Sequence, residues 1–508
     1  MDRRCGVLLP VASLPSRYGI GCFSKEAYEF VDFLADSGQT YWQILPLGQT
    51  GYGDSPYQSF STFAGNPYFV DPQALIEAGY ISSDAAEQFD FGKETRTVDY
   101  EKIYRNRYTL LRKAYANSPF CLNPSEKWAG PAYNADRTEF NYFIWDNSEW
   151  LPDYALFSAI KEYFDGDMFT KWPEEIRLRD TAAMDSYRIK LDEEIRFCEF
   201  LQFLFAKQWK KLKTYANDKG IKIIGDIPIY VAFDSADTWS HPELFELDEK
   251  GFPTVVAGVP PDAFSATGQL WGNPIYRWKY HKATGYDWWM QRLEQMFRLY
   301  DVVRIDHFRG FDEYWAVPYG DQDAMGGKWC KGPGYALFKV MKERLGDKEI
   351  IAEDLGYLTS SVLKLVKRTG YPGMKVLQFA FDGNTENAYL PHNHTKNAVV
   401  YTGTHDNDTT RGWYTTSDPE QQELIDKYVG ICCSQSATWE LIRLAMQSVA
   451  DTAIIPIQDY LDYGSAARIN TPSTLGGNWC WRLVPGELTE ELGAKMKEFA
   501  RLYGRIRK

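Results

Sequence analysis

Three short segments, VVRIDHF (Val302 to Phe308), IIAEDL (Ile350 to Leu355) and TGTHDND (Thr402 to Asp408), each carry apolar or β-branched residues straight into a carboxylate. About fifty residues separate Asp306 from Glu353, and about fifty more separate Glu353 from Asp406, which is close to one strand-helix-strand repeat each time. In a (β/α)8 barrel every parallel strand ends on one rim, where the active site lies, so acids this far apart in sequence converge there. Single Asp and Glu residues are mostly solvated surface groups. Three at strand ends with one spacing read as an enzyme's acids.

Side chains alternate along a strand, so Arg304 and Asp306 share a face and Val303 and Ile305 take the other. The outer face of a barrel strand packs on helices and must be apolar, which sends Arg304 and Asp306 inward. An arginine beside a carboxylate favours its charged form, which suits a carboxylate nucleophile. A glycosidic bond needs one carboxylate to attack and one protonated carboxyl to supply the leaving oxygen with a proton; a separation of ~5 Å gives retention through a covalent intermediate. Two neighbouring acids push one pKa up, so Asp306 is expected ionised and its partner protonated. Alternation leaves Glu353 and Asp354 both open as that partner, because both faces of IIAEDL can be apolar. Asp406, beside His405, stands where a third acid could hold sugar hydroxyls.

The elements that must position these acids are eight candidate strands: Cys5 to Leu14, Tyr41 to Gly48, Ile221 to Val231, Val302 to Phe308, Ile350 to Leu355, Met374 to Phe381, Ala398 to Thr404 and Thr452 to Leu461. Helical patterns at Glu26 to Gly38, Glu193 to Gly220, Tyr286 to Tyr300 and Gly334 to Gly346 lie between them. Strands alternating with helices predict a parallel sheet, and eight of them predict a single closed (β/α)8 barrel, class α/β, over residues 1–508. Two connections exceed ordinary βα loops. One, about 49–192, predicts an inserted, mainly helical subdomain after strand 2. The other, about 232–285, predicts an insertion after strand 3 that supplies loops to the substrate site. Gly258 to Phe264, stiffened by Pro260 and Pro261, and Tyr52 to Tyr57 are the expected lid and rim.

Other chemistries fit worse. His392 with His394, or His405 with Asp406 and Asp408, lack a zinc-like spacing, so no metal is expected. No P-loop, no G-x-G-x-x-G after a strand and no G-x-S-x-G elbow occurs. The 56 Lys and Arg against 69 Asp and Glu give a net charge of −13, which disfavours nucleic acid and anionic lipid as partners. No apolar stretch reaches the ~20 residues a bilayer requires, and MDRRCGVLLPVASLP reads as the first strand, since its apolar run is short and broken by Pro10. Eight cysteines without C-x-x-C spacing suit reduced thiols and a cytoplasmic location. With 17 Trp and 34 Tyr, the chain has more flat amphipathic rings than a core requires, and such rings suit the apolar faces of sugars.

The motifs SLPSRYGIG (Ser13 to Gly21), LPLGQTGYGDSPYQSFSTFAGNPY (Leu45 to Tyr68), GDIPIYV, VRIDHFRGF, IAEDLG, GTHDNDTTRGW (Gly403 to Trp413) and QDYLDYGSAARINTPSTLGGNWCWR (Gln458 to Arg482) occur in this order. Together they closely resemble the 4-α-glucanotransferases, or amylomaltases, of glycoside hydrolase family 77, relatives of the α-amylases, over nearly the whole chain. The resemblance implies Asp306 as nucleophile, Glu353 rather than Asp354 as general acid/base and Asp406 as transition-state stabiliser. It implies Asp226, Arg304 and His405 at the subsite of the cleaved bond, and Ser55, Tyr57, Gln269, Trp271 and Asn478 as further substrate contacts. It implies transfer of a 1,4-α-glucan segment to the 4-hydroxyl of an acceptor glucan, with no metal or organic cofactor. The competing expectation is an α-glucan hydrolase that uses the same acids and releases the intermediate to water.

Overall fold

The computed structural model describes residues 3–51, 53–128, 130, 133–261, 265–356, 358–430 and 436–506. Tyr52 of the expected rim, residues 262–264 of the expected lid, and Cys432 and Cys433 lie outside them. Strands β1 (Arg4–Leu8), β2 (Tyr41–Gln43), β3 (Lys222–Ile227), β4 (Val255–Val259), β5 (Gln269–Pro274), β6 (Val302–Ile305), β7 (Glu313–Pro318), β8 (Lys328–Lys331), β9 (Ile350–Ala352), β10 (Gly373–Val376), β11 (Ala398–Tyr401) and β12 (Thr452–Pro456) follow in chain order. β1, β2, β3, β6, β9, β10, β11 and β12 form a closed barrel in that sequence, β12 pairing back onto β1 with Arg4 opposite Thr452. Every ladder in it is parallel.

The period of two sorts the side chains as a barrel requires. Leu8, Ile224, Val302, Ile351, Met374, Val376, Val399, Tyr401 and Ile454 pack together inside the barrel. Their neighbours Val7, Trp42, Ile223, Val303, Ile305, Ala352, Val400 and Ile455 join the larger core between barrel and helices. The surrounding helices include Lys25–Asp36, Asp287–Leu299 and Tyr335–Leu345, each near its predicted bounds. Packing is close beside the site: a Cβ on Gly225 would lie 2.1 Å from the Tyr300 ring, so only glycine fits immediately before Asp226.

Several ladders are shorter than the apolar runs that announced them. Ile221 to Val231 contributes only Lys222–Ile227, because Pro228 has no N–H to extend the ladder. Cys5 to Leu14 contributes strand only to Leu8, since Pro10 leads into a 3-10 turn at Val11–Ser13. The run at Met374 to Phe381 bends into a 3-10 turn at Leu377–Phe379.

Between β2 and β3 the chain forms helices such as Tyr100–Ala116, Asn134–Asp146 and Leu151–Tyr163, leading into the 27-residue helix Asp192–Asp218. That helix buries Phe197, Phe200, Phe203, Phe205 and Trp209, each aromatic contributing ~1.5–3 kcal/mol on leaving water. The segment after β3 supplies β4 and β5, and the segment after β6 supplies β7 and β8; these four form an antiparallel sheet in the order β5-β4-β7-β8. Trp315 of β7 lies opposite Trp329 of β8, their rings 5.2 Å apart. No helix among the described residues is long and apolar enough to cross a membrane.

Candidate active site

The inward parity of β6 continues past the ladder, so Val302, Arg304 and Asp306 share one face. Arg304 is 3 % exposed and forks between two carboxylates, with Nη1 at 2.6 Å from Asp226 Oδ2 and Nη2 at 2.9 Å from Asp306 Oδ1. Asp226 faces Arg304 directly in the β3–β6 register. Burial would weaken the cation, but the charges of Asp226 and Asp306 override it and hold Arg304 well above its ordinary pKa.

The charge balance at Asp306 differs from the sequence expectation. Burial is the largest influence and raises its pKa to about 6; Arg304 opposes that, while Asp226 and Asp406 reinforce it. Arg304 is shared with Asp226, so its attraction is divided, whereas the sequence reading gave it to Asp306 alone. The Asp306 side chain keeps 30 % exposure to the cleft, so water tempers this rise until a ligand displaces it.

Glu353 sits one residue beyond Ala352, which pairs with Ile305, so it flanks Asp306 on the rim. Its backbone N–H donates to Ile305 O at 3.0 Å, and Phe308 N–H donates to its carbonyl at 3.1 Å. Its carboxylate accepts from His307 N–H at 2.7 Å and from Leu355 N–H at 2.8 Å. His307 turns the chain with φ 49°, in the left-handed region, which aims that N–H at Glu353. Burial first, then the Asp306 charge, lifts Glu353 to about 7. Asp354 occupies the opposite face: it accepts from Met374 N–H at 2.7 Å and lies against Gly373. Of the two acids that alternation left open, Glu353 is therefore the one beside Asp306.

Asp406 follows β11 and is held from three sides. Asn470 Nδ2 donates to Oδ1 at 2.6 Å, His405 Nε2 lies 3.3 Å from Oδ2, and Arg468 donates to its carbonyl at 2.7 Å. Burial works against its charge, but His405, Asn470 and Arg304 prevail and hold it at about 2. His405 shifts in the complementary sense, burial opposing its charge and Asp406 raising its pKa. The Tyr57 hydroxyl donates to Asp226 Oδ2 at 2.7 Å and lies 2.8 Å from His405 Nε2, so its oxygen accepts there. The result is a continuous chain of contacts, Asp306–Arg304–Asp226–Tyr57–His405–Asp406, that fixes two of the three acids relative to each other.

The remaining sequence candidates occupy the margins. Trp271 stands edge-on to His307 with ring centres 4.8 Å apart and donates its indole N–H to Gln269 at 3.1 Å. Ser55 accepts from Tyr57 N–H at 3.3 Å and shapes that turn. Asn478 spends its side chain inside its own loop, accepting from Thr471 N–H at 2.9 Å and donating to Thr474. Asn470 and Arg468, which touch Asp406, were not singled out from the sequence, although both lie in the motif Gln458 to Arg482. Trp479 was also missed; its ring centre is 6.0 Å from those of Tyr57 and His405. No group of three or more His, Cys, Asp or Glu among the described residues is arranged to hold a metal ion.

A closed parallel barrel whose charged network is gathered where its strands end is a TIM-barrel enzyme. The 4-alpha-glucanotransferase family model, glycoside hydrolase family 77, matches residues 9–488. The chain belongs to this family. A 4-alpha-glucanotransferase of Clostridium butyricum is 50% identical over 498 residues, 97% of this chain and 99% of that protein. One from Thermus thermophilus is 47% identical over 513 residues, 100% of each. Among solved structures, the amylomaltase from Streptococcus agalactiae in complex with acarbose superposes with a TM-score of 0.95 at 43% identity, covering 100% of both chains.

Proposed function

We propose that the protein transfers a segment of a 1,4-α-glucan to the 4-hydroxyl of an acceptor glucan or glucose by a retaining double displacement. Asp306 attacks the anomeric carbon and carries the segment as an ester, while Glu353 hands its proton to the departing glycosidic oxygen. Glu353 then takes the proton of the acceptor hydroxyl as the acceptor displaces Asp306 and restores the α-linkage. Asp406, ionised throughout, steadies the positive charge that develops on the ring. The observation that carries this reading is the Asp306–Glu353 pair at neighbouring strand ends, with Glu353 the weaker acid and Asp306 backed by Arg304.

Asp226, Tyr57 and His405 form the floor of the subsite beside the cleaved bond, and Trp271 and Gln269 of β5 flank it. The 232–285 insertion thus borders the cleft, and Ser55 and Asn478 act by shaping its loops. The reaction as written passes only through these side chains and calls on no metal or organic cofactor. Transfer rather than hydrolysis requires that an acceptor sugar exclude water from the ester. Cys5, Cys22, Cys121, Cys198, Cys330 and Cys480 are free thiols, which supports a reducing, cytoplasmic setting and a role in maltodextrin, glycogen or starch metabolism.

Incubation with maltotriose tests the reading. Glucose should appear together with maltopentaose and longer chains at constant total reducing ends. A rise in reducing ends without elongation would assign the protein to the hydrolases.

A further inference from the structure

The loop between β11 and the helix Thr410–Thr416 carries both His405 and Asp406. Its two ends meet at one buried side chain. Asp459 sits on the short helix Ile457–Tyr460, directly beyond β12. Its Oδ2 accepts from Thr402 Oγ1 at 2.5 Å and from Thr410 Oγ1 at 2.6 Å, while Oδ1 accepts from Thr410 N–H at 2.7 Å. Thr402, the first residue after β11, Thr410 and Asp459 are each 1% exposed. Among the described residues, the hydrogen bonds of this carboxylate all go to the two ends of that loop.

The fold alone gives little reason for such a group. Burial raises the Asp459 pKa to about 6, Thr402 and Thr410 oppose this, and the charge of Asp462 reinforces it. Arg411, one residue beyond Thr410, pairs with Asp462 at 3.7 Å. A buried carboxylate stabilises a structure less well than apolar side chains of its volume, so its purpose lies in what it holds. Within the loop, Asn407 Oδ1 accepts from Thr404 N–H at 2.9 Å and Thr404 Oγ1 at 2.8 Å, and Asp406 N–H donates to Thr404 Oγ1 at 3.3 Å. The middle of the loop is thus braced on itself, and its placement depends on its ends. The groups that grip it from outside lie in the segment that runs on from Asp459: Ser465 donates to Asp408 at 2.7 Å, and Arg468 and Asn470 donate to Asp406. Asp459 stands where these two segments meet and sets them in register.

We propose that Asp459 is a positioning residue of the reaction: its carboxylate pins both ends of the loop between Thr402 and Thr410 and so fixes where His405 and Asp406 stand against the sugar. The proposal rests on the glucan reading given above for what Asp406 does. Asp406 steadies charge that exists only as the glycosidic bond breaks, so its distance from the ring matters more to the transition state than to the bound sugar. A loop released at its ends moves Asp406 away from His405, Asn470 and the ring together. Asp459 itself touches no substrate and acts through the two threonines.

Asp459→Asn keeps the shape but cannot accept from both hydroxyls and the N–H with two oxygens. It should lower kcat/KM on maltotriose by at least about tenfold, chiefly in kcat, as a misplaced catalytic group does. Thr402→Val exchanges one hydroxyl for a methyl and should lose rate in the same sense; Thr402→Ser, which restores the hydroxyl, should recover most of it. The chain has six histidines, so His405 can be followed by NMR titration. Asp406 raises the His405 pKa, and in Asp459→Asn and Thr402→Val that pKa should fall as Asp406 withdraws, with the other histidines unmoved. Should Asp459→Asn not fold, Thr402→Val carries the test. Unchanged kcat/KM in both variants, or a loss of rate with His405 titrating as in the wild type, would overturn the proposal. Wild-type maltotriose in parallel separates the two readings: elongation with both variants unimpaired defeats this inference alone, whereas no elongation defeats the glucan assignment and leaves the His405 titration to report on the clamp.

Discussion

Burial and Arg304 pull the Asp306 carboxyl in opposite directions, and the balance sets both activity and stability. With Asp306 at about 6 and Glu353 at about 7, kcat/KM on short glucans should follow a narrow bell. Its acid limb falls as Asp306 gains a proton and can no longer attack; its alkaline limb falls as Glu353 loses the proton it must donate. Glu353→Gln should slow natural glucans about 10²–10⁴-fold but spare attack on maltotriosyl fluoride, whose leaving group needs no proton. The ester on Asp306 should then accumulate and be visible by mass spectrometry; no adduct would refute the covalent step. Asp306→Asn should remove turnover by at least about 10⁴-fold while oligosaccharides still bind. The same variant should be more stable than the wild type at pH 8. The folded pKa of Asp306 is raised above its ordinary value, so its contribution to stability is present at low pH and lost as pH rises toward about 6. Removing the charge should return about 1 kcal/mol at pH 8, allowing for cleft water, and less than half of that at pH 4, where the unfolded carboxyl is only partly ionised, as thermal unfolding at the two pH values will report. The three acids were legible in the sequence because each ends an apolar run. Asn470 was not, because an asparagine in a loop is distinguished from Asn478 only by the chain path that brings it to Asp406.

At the scale of elements, the site depends on how strands end. His307 holds a left-handed conformation that presents its N–H to Glu353, a geometry glycine adopts freely and a β-branched residue resists. His307→Gly and His307→Val remove the same ring from Trp271 and differ in backbone preference. The valine variant should be the worse of the two by about 1–3 kcal/mol in stability, with at least about a tenfold deficit in kcat/KM relative to glycine; equal variants would mean the turn does no positioning. The barrel strands were readable from composition, whereas their lengths were not, since Pro10 and Pro228 end ladders that the apolar pattern continues through. The sheet β5-β4-β7-β8 was unreadable for another reason. Its strands come from two insertions separated by β6, and nothing local in GQLWGNP signals a partner so far along the chain.

For the whole molecule, closure is secured from beneath the barrel, opposite the acids. Arg505 is fully buried, and its guanidinium donates to the carbonyls of Arg4, Met446, Ser448 and Ala450 at 2.8–3.1 Å. It ties the start of β1 to the segment that leads into β12. Arg505→Ala should cost about 3–5 kcal/mol, read as an earlier urea midpoint, with kcat/KM at moderate temperature unchanged. The alternation of strands and helices made the closed barrel predictable; this clamp was hidden, because one arginine among the chain's 56 basic residues carries no mark of the carbonyls around it.

The β1–β12 pairing has a consequence for biosynthesis. A chain made from its N-terminus folds as it emerges, yet β1 gains its second neighbour only when Thr452–Pro456 has been made. Until then both barrel edges present unpaired backbone groups, the kind of edge that recruits other chains. Asp306, Glu353 and Asp406 all precede β12, so a nascent polypeptide carries its full set of acids on an open sheet. Its last strand closes the sheet and removes both exposed edges.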